Sequence, residues 1–310
     1  MGSEALPLHN NGIFKNLPTF SPEIQGLTAI VTGANGISGF FTMRVLLENP
    51  QRWRKIWTLS RSPPPKEMME LLTPEQRDRV EHIPVDFLGK PEDIANALKA
   101  KGVTADAVFF YSYLQPKTTV KGSHPWANAQ ELADVNCRFL PVLDTQYLVV
   151  PKLTFPCSGS PRQPARCITI SEHPTKTFPA ADGSEELQCK PTEAQPWISI
   201  LLTECQVHQG PARTPFVESD PRRSIEPNFY YPQEDKLFAY CKATGADWNV
   251  ICPAWIIGAV SNATMNALHP LAVYAAVQAH KNEELHFPGD YNAWLGTCEH
   301  STAMLTGYLR

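Results

Sequence analysis

Leu27-Thr28-Ala29-Ile30-Val31-Thr32-Gly33-Ala34-Asn35-Gly36-Ile37-Ser38-Gly39 decides how the rest of the chain is read. Leu27 to Val31 is an apolar, β-branched run of strand length, and Ile37, Phe41 and Val45 follow at helical spacing. Between strand and helix, Gly33, Gly36 and Gly39 are spaced G-x-x-G-x-x-G. Glycine suits a turn in which a side chain would hold the backbone away from a pyrophosphate, whose charge is met by N–H groups at a helix N-terminus. A glycine-rich turn without ligand competes as long as the triplet stands alone. The strand before it and the helix after it favour dinucleotide binding, with Gly33, Asn35, Gly36, Ile37 and Gly39 as candidate contacts.

The alternation continues outward. Ile56 to Leu59 and Val80 to Val85 read as strands, Pro91 to Lys101 as a helix with Ile94 and Leu98 inward, Ala107 to Tyr111 as a buried strand, and Ala127 to Leu140 as a helix. This order predicts an α/β fold, a doubly wound and mostly parallel Rossmann sheet with helices on both faces. An acidic residue closing the second of these strands would hold the ribose hydroxyls of NAD. Ser60-Arg61 stands there instead, and its guanidinium suits a 2′-phosphate, so NADP(H) is the expected cofactor. A solvated surface arginine is the alternative. Asp86-Phe87 closes the third strand, where adenine is commonly contacted, although a turn aspartate would look the same. Ser112 follows the fourth strand and is either a nicotinamide-pocket residue or part of a turn. Asn136 on the following helix is a polar relay or, more simply, a helix-surface residue.

Composition narrows the function further. The 310 residues are 43% hydrophobic and 19% charged, which is globular and about two domains' worth of length. The net charge of −4 includes no long run of one sign, so nucleic acid is not an expected partner. Eight cysteines have neither CxxC pairs nor metal-ligand spacing, which predicts free thiols, no metal and a reducing, cytoplasmic setting. Met1 to Asn10 has no basic stretch followed by an apolar one, and Ala254 to Ala279 is interrupted by Ser261, Asn262, Asn266, His269 and Pro270, so neither secretion nor a membrane span is expected. Proline is abundant at 29 residues.

Three further stretches, Glu218-Ser219-Asp220-Pro221-Arg222, Pro227-Asn228-Phe229-Tyr230-Tyr231-Pro232-Gln233-Glu234-Asp235 and Pro253-Ala254-Trp255-Ile256-Ile257-Gly258, resemble the progesterone 5β-reductase/iridoid synthase-like group of atypical short-chain dehydrogenase/reductases. Phe287-Pro288-Gly289-Asp290 and Ser301 to Leu305 look like the fungal, secondary-metabolite-cluster members of that group. The similarity covers roughly residues 26–138 and 208–310. It implies an NADPH-dependent reductase that delivers hydride to an enone, enal or ketone of a small terpenoid or polyketide-derived metabolite. It also implies a small, mainly helical C-terminal substrate lobe and makes Tyr230 the catalytic tyrosine, its phenol donating to the carbonyl oxygen as charge develops. Pro232, Glu234, Asp235, Lys242 and Gly245 predict a helix that the two tyrosines precede. By spacing alone, Tyr230 and Tyr231 are also readable as aromatic packing at a seam.

The resemblance breaks in the middle. The family carries a lysine a few residues before a Gly-Pro pair, but the sequence before Gly210-Pro211 holds none, and Thr203 stands about where the lysine belongs. Lys152 and Lys190 are weakly placed stand-ins. No short-chain Y-x-x-x-K pair replaces it, because Glu234 follows Tyr230 by four residues. The expected organisation is therefore a leader over 1–25, an NADP-binding domain over 26–140, an irregular proline-rich interval over 141–207 and the remaining fold with a shortened lobe over 208–310. A retained intron or local frame change would account for the interval, which leaves the parallel sheet short of an interior strand unless Tyr147 to Val150 or Trp197 to Leu202 supplies it. A catalytically inactive relative that at most binds dinucleotide is the alternative to an enzyme, and a homodimer is left open.

Overall fold

The computed structural model describes residues 8–17, 19–20, 22–114, 129–137, 197–201, 220–222, 227–261, 266–296 and 300–309. A six-stranded, wholly parallel sheet organises them. Its strands are β3 (Leu27–Thr32), β4 (Trp53–Ser60), β5 (Val80–Pro84), β6 (Ala107–Phe110), β7 (Trp197–Leu201) and β8 (Asp247–Ile251), in the spatial order β5-β4-β3-β6-β7-β8. Every residue of β3 is buried, as suits a strand covered on both faces. Ile30 points into one core, and its neighbours Ala29 and Val31 point into the other.

Helices cover both faces, which makes the sheet doubly wound. On one side, Ile94 and Leu98 of α4 (Pro91–Ala100), Leu132 of α5 (Ala129–Cys137) and Leu237 of α6 (Tyr230–Thr244) share a core with Val108, Phe110, Ile198 and Ile200. On the other, Phe40 and Met43 of α1 (Ile37–Leu47), Met68 of α2 (Lys66–Met69) and Ala303 of α9 (Ala303–Tyr308) pack with Ala29, Ile56 and Phe109. A one-turn helix, α3 (Pro74–Arg77), leads into β5 and begins with a reciprocal capping box between Thr73 and Gln76.

The sheet has its interior strand after all. Trp197–Leu201 pairs in parallel with β6 on one side and β8 on the other. The alternation that places Ile198 and Ile200 in the α5–α6 core suffices to form a strand despite the proline-rich text before it. Tyr147 to Val150, and the rest of the 141–207 interval before Trp197, lie outside the described residues.

Two further features lie at the chain's periphery. The predicted leader contains an antiparallel hairpin, β1 (His9–Asn11) with β2 (Phe14–Leu17). Asn11 Nδ2 donates to Glu48 Oε2 at 3.1 Å and to Tyr308 Oη at 2.6 Å, and Tyr308 Oη donates to Glu48 Oε2 at 2.6 Å, so the hairpin is fastened to the ends of α1 and α9. The C-terminal region pairs β9 (Trp255–Ile257) with β10 (His300–Thr302) and carries α7 (Leu268–Lys281) and α8 (Tyr291–Leu295). Neither helix buries a residue, and Leu271, Val277, Tyr291 and Trp294 are exposed. Among the described residues no helix is long and apolar enough to cross a membrane, no cluster of side chains is suited to a metal ion, and Cys137, Cys241 and Cys252 are free thiols.

Candidate active site

The glycine turn lies at the point where the strand order reverses, between the carboxyl ends of β3 and β6, the usual crevice for a ligand in an open α/β sheet. Each glycine has a different reason to be there. Gly33 adopts a left-handed φ of +64°, and a Cβ on it would stand 2.7 Å from the Tyr111 carbonyl oxygen. A Cβ on Gly39 would run into the Gly33 carbonyl oxygen and lie 2.6 Å from the Gly33 carbonyl carbon, so this residue lets α1 pack against the turn. Gly36 is different: a Cβ there would meet only the Gly33 carbonyl oxygen at 3.4 Å, an ordinary contact, and the space beyond is open. Gly36 is also the N-cap of α1, which has neither a side-chain cap nor an acidic residue in its first turn. Its N–H groups are thus left to an anion, and these residues fit a pyrophosphate. Asn35 is half-buried beside Gly36, whereas the Ile37 side chain is buried in the α1 core.

Neighbouring strand ends tie the turn in place. Gly33 N donates to the Leu59 carbonyl at 3.2 Å, and Thr32 Oγ1 accepts from the amides of Tyr111 and Ser112 at 2.9 and 3.1 Å. Ser60 is buried and donates to the Ser62 carbonyl at 2.7 Å, shaping the bend that leaves Arg61 exposed at the end of β4. Arg61 makes no ion pair among the described residues. Asp86 accepts from the Leu88 amide at 3.0 Å and closes a tight turn after β5. The Phe87 ring is buried edge-on against Phe110 at 6.1 Å, so its side chain serves the core.

The segment after β6 connects the turn to Tyr230. Ser112 is anchored to Thr32, and two residues on, Asn136 grips Leu114 from both sides: its Oδ1 accepts from Leu114 N, and its Nδ2 donates to Leu114 O, each at 2.9 Å. Asn136 is fully buried, with a further bond to the Leu132 carbonyl at 2.9 Å, so it is a structural clamp rather than a helix-surface residue. Gln233 Nε2 donates to the Asn136 carbonyl at 3.1 Å and carries the connection on to α6. Between these anchors stands Tyr113, its ring 5.8 Å from that of Phe229, which in turn lies 4.1 Å from the Tyr230 ring. Burial first, and the nearby Tyr230 second, push the Tyr113 phenol above its ordinary pKa.

Tyr230 itself is buried and occupies the first position of α6. The tyrosines therefore sit inside the first helical turn rather than before it, and Glu234 and Asp235 fall in the second. Those acids have another use: both pair with Arg222, Asp235 at 2.8 Å, and the guanidinium lies over the Tyr231 ring at 5.0 Å. Asn228 Oδ1 accepts from Tyr230 N at 3.0 Å and holds the entry to the helix, which ends as predicted with Lys242 in its last turn and Gly245 in the left-handed conformation. Lys236 donates to the Cys137 carbonyl at 3.1 Å. Thr203, Lys152 and Lys190 lie outside the described residues. Tyr113 was not singled out in the sequence, where it follows the strand read over Ala107 to Tyr111 and the candidate Ser112. Its signal was its place at a carboxyl strand end, beside the crevice.

The chain is 24% identical over 282 residues to a short chain dehydrogenase of Penicillium aethiopicum, covering 90% of this chain and 60% of that protein. The likeness is to short-chain dehydrogenase/reductases. A 3-oxo-Δ4,5-steroid 5β-reductase of Arabidopsis thaliana is 41% identical over 92 residues, 29% of this chain and 24% of that one. The chain spans 54% and 60% of the length of the curated relatives it matches along most of its own length. Among solved structures, a UDP-N-acetylglucosamine 4-epimerase of Methanobrevibacter ruminantium superposes with a TM-score of 0.53 at 14% identity, over 91% of this chain and 71% of that one, a likeness of fold. No protein-family model matches.

Proposed function

We propose that the protein is an NADP(H)-dependent reductase of the short-chain type, acting on an enone, enal or ketone of a small secondary metabolite of terpenoid or polyketide origin. One observation carries this reading: the segment 111–114 joins the glycine turn to Tyr230, bonded to Thr32 at Ser112 and in tilted ring contact through Tyr113 with Phe229. The turn around Gly33, Gly36 and Gly39, with the N-terminus of α1, would hold the pyrophosphate, and exposed Arg61 would pair with the 2′-phosphate. Asp86 would meet the adenine edge, and Ser112 would line the nicotinamide pocket. Bound there, a reduced nicotinamide supplies hydride. Tyr230 donates a hydrogen bond to the substrate carbonyl oxygen, and that bond strengthens as negative charge gathers on the oxygen. The substrate class follows from the resemblance to the 5β-reductase-like group and from the short match to the Arabidopsis steroid reductase.

The test is oxidation of NADPH by the purified chain with cyclohex-2-en-1-one or a short enal, run beside NADH. Turnover faster with NADPH, and abolished in Tyr230→Phe, is the expected result. Equal rates in the variant would refute the role of Tyr230. A second reading, an inactive relative that keeps a dinucleotide pocket, is favoured by Thr203 standing where the family lysine is expected. NADPH binding without turnover would select it.

A further inference from the structure

Arg61 is followed directly by Ser62-Pro63-Pro64-Pro65. Arg61, Ser62 and Pro63 are all exposed on the bend that closes β4. A proline keeps the residue before it in extended backbone, so Ser62, Pro63 and Pro64 are each held open by the proline that follows. Pro65 continues extended at φ −53° and ψ 143°. The bend is pinned from inside, where the buried Ser60 hydroxyl donates to the Ser62 carbonyl at 2.7 Å. Among the described residues, the Ser62 hydroxyl makes no hydrogen bond and the Arg61 guanidinium has no partner. Thr73-Pro74 is the other described hydroxyl that precedes a proline, and its oxygen is already engaged, accepting from the Gln76 amide at 3.3 Å in the capping box of α3.

We propose that Ser62 is a phosphorylation site for a proline-directed protein kinase, and that its phosphate turns off NADP(H) binding by taking over Arg61. This rests on the assignment of Arg61 to the 2′-phosphate of the cofactor. In the transfer, Ser62 Oγ attacks the γ-phosphorus of ATP, the bond to the bridging oxygen breaks, ADP leaves, and the kinase's base takes the hydroxyl proton. The product carries a charge of roughly −1.5 to −2 and three acceptor oxygens, on a residue whose Cα is about 3.8 Å from that of Arg61. Phosphoserine there matches the 2′-phosphate in charge and in its fit to a guanidinium. It acts in two ways: it pairs with the cation that the cofactor would use, and it repels the incoming group of like sign. NAD(H) carries a hydroxyl in place of that group, so the modification alters cofactor preference as well as affinity.

The test treats the full chain with a cyclin-dependent kinase and ATP, locates the phosphate by peptide mass spectrometry, and titrates NADPH and NADH by the fluorescence of the reduced nicotinamide. Ser62 should be modified, with NADPH bound about tenfold more weakly and NADH within about twofold of the untreated chain. Ser62→Ala should bind NADPH as the wild type does and no longer respond to the kinase, whereas Thr73→Ala should respond in full. Ser62→Glu, with a single charge, should lower NADPH affinity by about threefold. A chain left unmodified at Ser62 would overturn the proposal, as would a phosphate at Ser62 that leaves NADPH affinity unchanged or lowers NADPH and NADH affinity alike. Arg61→Ala separates the switch from the assignment beneath it. Weakened NADPH binding in Arg61→Ala, with no effect of the Ser62 phosphate on the wild type, refutes the switch and leaves the 2′-phosphate assignment standing. Wild-type NADPH affinity in Arg61→Ala refutes that assignment, and the switch with it.

Discussion

Gly39→Ala sets two expectations of opposite sign against each other. Gly39 lies in α1, and by helix propensity alone alanine should stabilise such a position by about 1 kcal/mol. The structure argues the reverse. The new Cβ would stand 2.6 Å from the Gly33 carbonyl carbon, 2.9 Å from Ala34 Cα and closer still to the Gly33 oxygen, all backbone atoms that no rotamer change can move aside. Overpacking of this kind costs about 1–3 kcal/mol, and contact with backbone belongs at the upper end, so the net change is a destabilisation of about 2 kcal/mol. Gly36→Ala is the control: its Cβ meets one atom at 3.4 Å, and only the modest loss of a glycine N-cap remains, under about 1 kcal/mol. Urea unfolding followed by tryptophan fluorescence measures both, and NADPH fluorescence measures binding. Gly39→Ala should lose stability, whereas Gly36→Ala should stay folded and lose affinity as its methyl enters the open side of the turn. A Gly39→Ala variant as stable as the wild type, with Gly36→Ala the less stable of the two, would refute the assignment of packing to one glycine and ligand approach to the other.

Two further perturbations follow from buried polar groups. Asn136→Leu strips the amide and carbonyl of Leu114 of their partners, at about 1–3 kcal/mol for each unsatisfied group. It should lower the urea midpoint by the equivalent of about 2–6 kcal/mol, and unchanged stability would mean that segment 111–114 has other anchors. His82 lies in β5, and burial holds its imidazole below the ordinary value of 6.5. As pH falls the unfolded chain takes up this proton first, so this contribution to stability is complete above 6.5 and is lost as pH drops from there through the folded value. His82→Gln should flatten the urea midpoint over that window, and an unaltered slope would show that other groups set it.

Much of the framework was legible because it is written in local pattern. The apolar runs at Leu27 to Val31 and Ala107 to Phe110, and the glycine spacing between strand and helix, carry their meaning within a dozen residues. The strand at Trp197–Leu201 was harder to read. Five residues hold only two clear inward positions, Ile198 and Ile200, and the proline-rich sequence before them offers no helix to set their register. Asn136 was read as exposed because asparagine usually is, yet it follows Leu132 by four residues and so shares that residue's inward face. Tyr230 was legible as a residue but not in its position. Its helix begins two residues earlier than Pro232 suggests, and the acids that looked like a first-turn signal are paired with Arg222. Tyr113 could be valued only once the chain had been folded, since its neighbours Phe229 and Tyr230 are more than a hundred positions away.

The hairpin latch has a consequence for how the molecule is made. Asn11 and Tyr308 are 297 positions apart, yet their side chains bond directly. A hairpin of nine residues has little stability alone, and although Glu48 at the end of α1 emerges early, the Tyr308 half of the latch is missing on the ribosome until nearly three hundred further residues have emerged. Closing so long a loop comes late in folding and contributes little to its rate-limiting nucleus. The latch is therefore a completion mark: proteolytic clipping before residue 20 distinguishes chains that have reached the native state from those that have only assembled the sheet.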